Sequence, residues 1–560
     1  MRLTVTVLGF AVAAAAAGNG VSITKVMHNG DPVPGMPGMT FIAAPGGASL
    51  NDAGIVLFNG QISGPGVTSS TNNVLFTRVG GAINALAREA DPVPGTPGYI
   101  FLPASVNHSG YYDLTVTPAG QIGFRPTIYN TTNATGVWDA IMTGPPASPA
   151  LAIYGSGPAP GFPADTTQVL QTPASTIDGG LTGVIGRAVS TTNAYVIWTG
   201  NNAGMIPALQ TGLQAPGLPV GVNLQSFGSS SLRMNAMGRI MFTATLATGV
   251  GGVNNDNRVV LYEGPPNQLS VLARQGNAVP GVASAIYTSF DASSIRTNAA
   301  GALCFKAFVS GGGTDHAIIS HGGGQSFVLA KNGDPVPGHP GLTLGRLRNH
   351  RHDMNGLGRV AFGAQLVGAP AATDTAMFVG GPGGIEMVFR EGDPLPNGLA
   401  IAHIENQPFL FNDREQFVLF MGAVSISRPN GDWVQVARPS TGFFTDQGYV
   451  GVSHPTVPWR YDANARAAGT GGPTIFNNEG QLLLSLVFTG SNGSGVFMFD
   501  VDDPCPADLV LPFGLLDLND INAFVAGFVG SDPLADLDEN GLIDLTDVNI
   551  FVSSFIAGCP

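Results

Sequence analysis

The sequence predicts an all-β chain assembled from eight similar four-stranded units, with seven as the alternative count, followed by a small helical tail. Three observations carry this reading. A Pro-rich turn recurs about every 60 residues. A second pattern, Asn-x-x-Gly-x-x-x-Phe, follows it. The stretches between are short apolar runs broken by Gly, Pro, Asn and Asp, which suits short strands joined by tight turns.

The Pro-rich turn reads Gly30-Asp31-Pro32-Val33-Pro34-Gly35 and returns at Asp91 to Gly95 and Gly333 to Gly338. Weaker copies run Gly157 to Gly161, Leu213 to Gly217, Gly276 to Gly281 and Gly392 to Pro396. Its recurrent Asp (Asp31, Asp91, Asp334, Asp393) precedes Pro and is expected to cap the turn. The second pattern is clean at Asn51/Gly54/Phe58, Asn235/Gly238/Phe242, Asn298/Gly301/Phe305 and Asn355/Gly358/Phe362. It is partial at Gly120/Phe124, around Asp178 to Ile185, at Asn412/Phe420 with Glu415 in the Gly position, and at Asn477/Gly480/Leu484.

A hairpin turn feeding a buried strand explains the second pattern. Asn and Gly are expected there because they tolerate positive φ, and Phe because it fills the space between units. A third strand follows (Asn73 to Thr77, His316 to Ser320), then a fourth (Phe327 to Ala330, Ile385 to Phe389). Gly495 to Phe499 resembles a third strand with no fourth after it, and Val21 to Val26 resembles a fourth strand. Pairing the two closes a radial β-propeller and removes its open edges. An open solenoid or two smaller propellers are the alternatives.

Composition narrows the function. The chain has 560 residues with 44% hydrophobic and 11% charged residues, so it can bury cores despite Gly 79 and Pro 42. Net charge is −14 and the lysines are Lys25, Lys306 and Lys331, which argues against a nucleic-acid partner. Arg2 followed by the apolar run Leu3 to Ala17 reads as a signal peptide over 1–17, cleaved before Gly18. The mature chain is then expected outside the cytoplasm (extracellular, cell-surface or periplasmic) with no transmembrane segment. Cys304 stands in an apolar strand pattern and reads as a buried free thiol. Export permits Cys505 and Cys559 to pair.

Asn355-Gly356-Leu357-Gly358-Arg359-Val360-Ala361-Phe362 resembles the motif of exported bacterial NxxGxxAF tandem-repeat proteins. The resemblance spans roughly 21–500. It implies architecture and no particular reaction, so 18–500 is taken as the propeller domain.

Composition shifts after Asp500, and 501–560 reads as a separate module of two related halves. Asp517 to Val525 and Asp544 to Val552 correspond, each starting a helix-period pattern. The second half carries metal-loop spacing. Asp536, Asp538 and Asn540 stand at positions 1, 3 and 5, Gly541 permits the sharp turn, Leu542 offers a backbone carbonyl, and Asp544 and Asp547 complete an oxygen set suited to Ca²⁺. The first loop keeps Asp508, Gly514, Asp517 and Asp520, but Val510 and Pro512 replace ligands. The module resembles a dockerin of the Cys-bracketed type ending Gly-Cys-Pro. That resemblance implies a cohesin-like partner or cell-surface sorting machinery.

No G-x-S-x-G, H-E-x-x-H, G-K-[ST] or C-x-x-C occurs, and no catalytic residues are assigned. One patch is dense in side chains that bind anions or metals: Arg346, Arg348, His350, Arg351 and His352, with Asp353 beside them. It is a candidate for an anionic ligand such as an acidic sugar, or for a His350/His352 metal pair. A solvated strand end is the plainer reading. Together these point to an exported binding or scaffold propeller displayed through its tail. The alternatives are a carbohydrate-active enzyme (a polysaccharide lyase or glycosidase) carried by a dockerin, and a structural cell-surface protein.

Overall fold

The computed structural model describes residues 22–43, 47–103, 111–132, 137–168, 181–228, 231–347, 351–395, 399–401, 404, 409–420, 424–427, 433–437, 452–456, 475–488, 494–500, 507, 509, 516, 518–530, 535, 537 and 542–557. Expectations for 1–17, Cys505, Cys559, Arg348, His350, Asp536, Asp538 and Asn540 lie outside them.

Antiparallel sheets repeat along the chain as eight blades of a β-propeller. Blade one shows the pattern. An inner strand in two pieces, Thr40–Ala43 and Ala48–Leu50, pairs with Val56–Ser63, which pairs with Asn73–Val79 and then Ala82–Arg88. Blade two repeats it with Tyr111–Val116, Ile122–Asn130 and Val137–Gly144, and blade five with Arg296–Thr297, Leu303–Ser310, His316–Gly322 and Gln325–Lys331. The short inner pieces touch from blade one to blade two and from blade four through blade seven.

Blade eight closes the circle. Its outer strand is the N-terminal Ser22–His28, paired with Ser494–Asp500 so that Ser22 faces Asp500. This is the predicted closure.

The repeated Phe sits where a blade meets its predecessor. Phe305 packs with Met241 and Leu261 of blade four, and Phe362 with Cys304 and Ile318 of blade five. Each fully buried ring stabilises by roughly 2–3 kcal/mol. In blade seven the ladder sets Leu419 opposite Phe409, as Phe362 stands opposite His352 in blade six. Leu419, and not Phe420, therefore fills the Phe position.

The Asp of the Pro-rich turn caps it. Asp31, Asp334 and Asp393 each accept the backbone N–H three residues earlier, at 2.8, 2.9 and 2.8 Å. In the tail, helices α1 (Leu518–Gly530) and α2 (Leu545–Ala557) stack Phe524 on Phe551, ring centres 4.3 Å apart. No helix among the described residues is long and apolar enough to cross a membrane.

Candidate functional site

The Asn of the repeated turn does more than shape a hairpin. Positive φ falls on the glycine (Gly54 69°, Gly238 72°, Gly301 88°, Gly358 81°) and on Glu415 at 58°, while the Asn residues keep negative φ. All but Asn235 instead use both ends of the side-chain amide. The Oδ1 accepts the N–H four residues on, at 2.9 Å in Asn51 and 2.8 Å in Asn298. The Nδ2 donates to a carbonyl of the next blade. Asn355 reaches Asn412, Asn412 reaches Asn477, Asn477 reaches Asn51 across the closing seam, and Asn51 reaches Thr117. Asn298 reaches Gly356 in the same way, whereas the buried Nδ2 of Asn235 has no partner.

The following residue adds a second tier. Asp52 accepts from the Asn478 N–H at 2.9 Å, Asn478 from Asp413 at 2.9 Å, and Asp413 from Gly356. Burial, reinforced by Asp52, raises the Asp413 carboxyl above its usual range. These groups are saturated by one another, so the turns lock the ring rather than present a site.

A small pocket lies between blades five and six. Lys306, Phe308 and His316 line it from blade five, with Asp291 at one side and Leu347 of blade six opposite. The ladder explains the grouping. His316 stands opposite Phe308, and Lys306 is two positions along the same strand, so all three share one face. Burial pushes the Lys306 ammonium down to about 8, with Asp291 opposing and Arg296 and Arg351 adding to the shift. His316 is buried, 8% exposed. Its Nδ1 lies 2.7 Å from Asp315, its ring meets Phe308 edge-on, and Nε2 has no partner. Asn332 holds the backbone N–H groups of Asp315 and His316.

The predicted patch divides around this pocket. Arg346 and Arg351 are exposed. His352 is buried, and its Nε2 donates to the Ser294 carbonyl at 2.7 Å. Burial, then Lys306 and Arg296, hold that imidazole well below its ordinary value, so it is neutral. Asp353 meets Arg296 at 3.4 Å. His352 thus fastens two blades, with one nitrogen committed. Lys306, His316 and Asp291 are the residues the sequence reading missed.

In the tail the carboxylates at the two helix starts are buried and repeat one role. Asp520 accepts the Leu509 N–H at 2.8 Å, and Asp547 accepts Leu537 at 2.7 Å and Asp544 at 2.8 Å. Leu542 is exposed, and Asp544 caps Thr546 at 2.7 Å. Among the described residues no group of three or more His, Cys, Asp or Glu side chains is placed to hold a metal.

Comparison with known proteins adds fold likeness of low identity. The β-propeller domain of the Trilobed protease from Pyrococcus furiosus aligns at 9% identity over 70% of this chain and 97% of that one, TM-score 0.34. The Pyrococcus horikoshii acylaminoacyl peptidase aligns at 9% over 72% of this chain and 53% of its own, TM-score 0.33, so the chain spans about half of that enzyme. PorZ, a surface component of the type-IX secretion system of Porphyromonas gingivalis, aligns at 10% over 82% and 66%, TM-score 0.31. Likeness at this level carries no argument. No curated protein matches. Residues 9–162 and 253–435 match the family model described as a Family of unknown function (DUF7453), and since they make up more than half of the chain, the chain belongs to that family.

Proposed function

We propose that this chain is an exported binding or scaffold propeller, displayed on a cohesin-like partner through a dockerin-like C-terminal module that takes Ca²⁺ in the loop 536–547. One observation carries the reading. Each tail helix exposes the same stripe at helical spacing, Leu518-Asn522-Val525-Val529 on α1 and Leu545-Asn549-Val552-Ile556 on α2. Val529 and Ile556 are each 80% exposed, and Leu518 and Leu545 are 67% and 75% exposed. Apolar side chains left in water at matching positions of two helices suit a docking face. The loop chemistry supports the calcium assignment. Carboxylate and amide oxygens alternate through Asp536, Asp538 and Asn540, and hard oxygen donors are what Ca²⁺ prefers.

Calorimetric titration of Ca²⁺ into the full chain tests this. One equivalent bound, and lost in Asp536→Ala, is the expected result. No binding, or binding unchanged in that variant, would sink the calcium assignment. N-terminal sequencing of the exported chain is expected to begin at Gly18.

A further inference from the structure

We propose that the face on which the tail docks is cationic: a protein surface with an apolar centre bordered by Lys and Arg. The inference deepens the reading of 501–560 as a docking module and rests on it.

Charge is unevenly placed along this chain. Residues 501–560 contain eleven Asp and Glu and no Lys, Arg or His, so most of the net charge of −14 lies in the tail. One bound Ca²⁺ would offset only two of those charges. Asp520 and Asp547 are buried and committed to backbone N–H groups. Asp544 is exposed and stands directly before Leu545, where the stripe of α2 begins. Asp517 holds the same place in sequence before Leu518. Each stripe is thus apolar, headed by an acidic residue, with no cation in the tail to balance it. Burying Val525 and Val529, or Val552 and Ile556, against a partner brings that partner close to uncompensated negative charge. Like charge there is repelled, while opposite charge steers the encounter and fixes its orientation.

Other occupants fit less well. An anionic bilayer, a nucleic acid and a second copy of this tail all meet the stripes with like charge. The chain's own propeller is a weaker match. Its formal charge is also negative, and Arg125, Arg239, Arg359 and Arg414 each pair with a carboxylate of the propeller itself.

Fluorescence anisotropy on the full chain is the test, with three labelled helical peptides that share a Leu face and differ in its border: Lys, Gln or Glu. At about 0.05 M NaCl the Lys-bordered peptide is expected to bind about tenfold more tightly than the Glu-bordered one, with the gap closing towards about 0.5 M as salt screens the charges. That comparison needs no variant to fold. Val529→Ser with Ile556→Ser should abolish binding of the Lys-bordered peptide. Asn522→Lys with Asn549→Lys should weaken it and strengthen the Glu-bordered one. All four positions are exposed, so these changes leave the helix packing intact. Equal affinity for the three peptides would overturn the cationic assignment and leave the docking face standing. Lys-bordered binding that survives Val529→Ser with Ile556→Ser would put the charge effect elsewhere on the chain and overturn it too. Binding of none of the three would remove the docking face along with it.

Discussion

Blades two and five place a cation at the same ladder position and treat it differently. In blade two, Arg125 lies between Asp113 at 2.6 Å and Asp139 at 3.0 Å. In blade five, Lys306 stands at the matching position, His316 stands where Asp139 does, and Asp291 lines the pocket with them. Burial opposes the charge of Arg125, but its two carboxylates outweigh that and hold it above its ordinary value. Burial wins at Lys306. One blade has completed its electrostatics internally. In the other, burial prevails over the Asp291 charge at Lys306, and the neighbouring His316 Nε2 is buried without a partner.

Removing each cation should move stability in opposite directions. Arg125→Met leaves two part-buried carboxylates facing each other and is expected to cost about 3 kcal/mol, read from urea unfolding. If it is neutral, the clamp is not structural. Lys306→Met should instead stabilise by about 2 kcal/mol below pH 8. The sign follows from the shift. The folded-state pKa of about 8 lies below the ordinary lysine value of 10.5, so the charged form is penalised in the fold, and the penalty disappears as pH rises from 8 to 10.5. The advantage of Lys306→Met should vanish over that window, and a gain that persists above it would contradict the assignment. The smallest effect is expected from His316→Asp, which gives blade five the second carboxylate of blade two. Stability should change by roughly 0.5 kcal/mol, and Lys306 should titrate closer to its ordinary value, read from its side-chain carbon shift. A titration unchanged from about 8 would show that the two blades differ for another reason.

The repeats made the blade count and the closure legible, because turn chemistry and strand alternation are local properties. The role of Asn51, Asn298 and their counterparts was half legible. Their place in a turn is local, but the carbonyl each Nδ2 reaches belongs to the next blade, and only the closed ring brings it near. His316 was legible as the start of a strand, but the face it takes is set by pairing with Phe308, which sequence alone does not place. A signal for Lys306 was present. It is one of three lysines, and it sits among Leu303, Cys304, Phe305, Ala307 and Phe308, where a charge has no local reason to be. The arginine-histidine patch stands out for its density, yet its member His352 and the adjacent Asp353 turn inward to fasten blades.

The outer strand of blade eight is the first described segment of the chain, and its partner Ser494–Asp500 is the last strand of the propeller to be synthesised. Ring completion is therefore a report on chain completeness. A chain stalled or cut before Ser494 leaves Ser22–His28 as a bare edge, and one cut before Asn477 also leaves the Asn51 carbonyl without its donor. Such an edge invites pairing with other chains and marks the fragment for proteolysis. The topology thus sorts whole molecules from partial ones without any dedicated sensor.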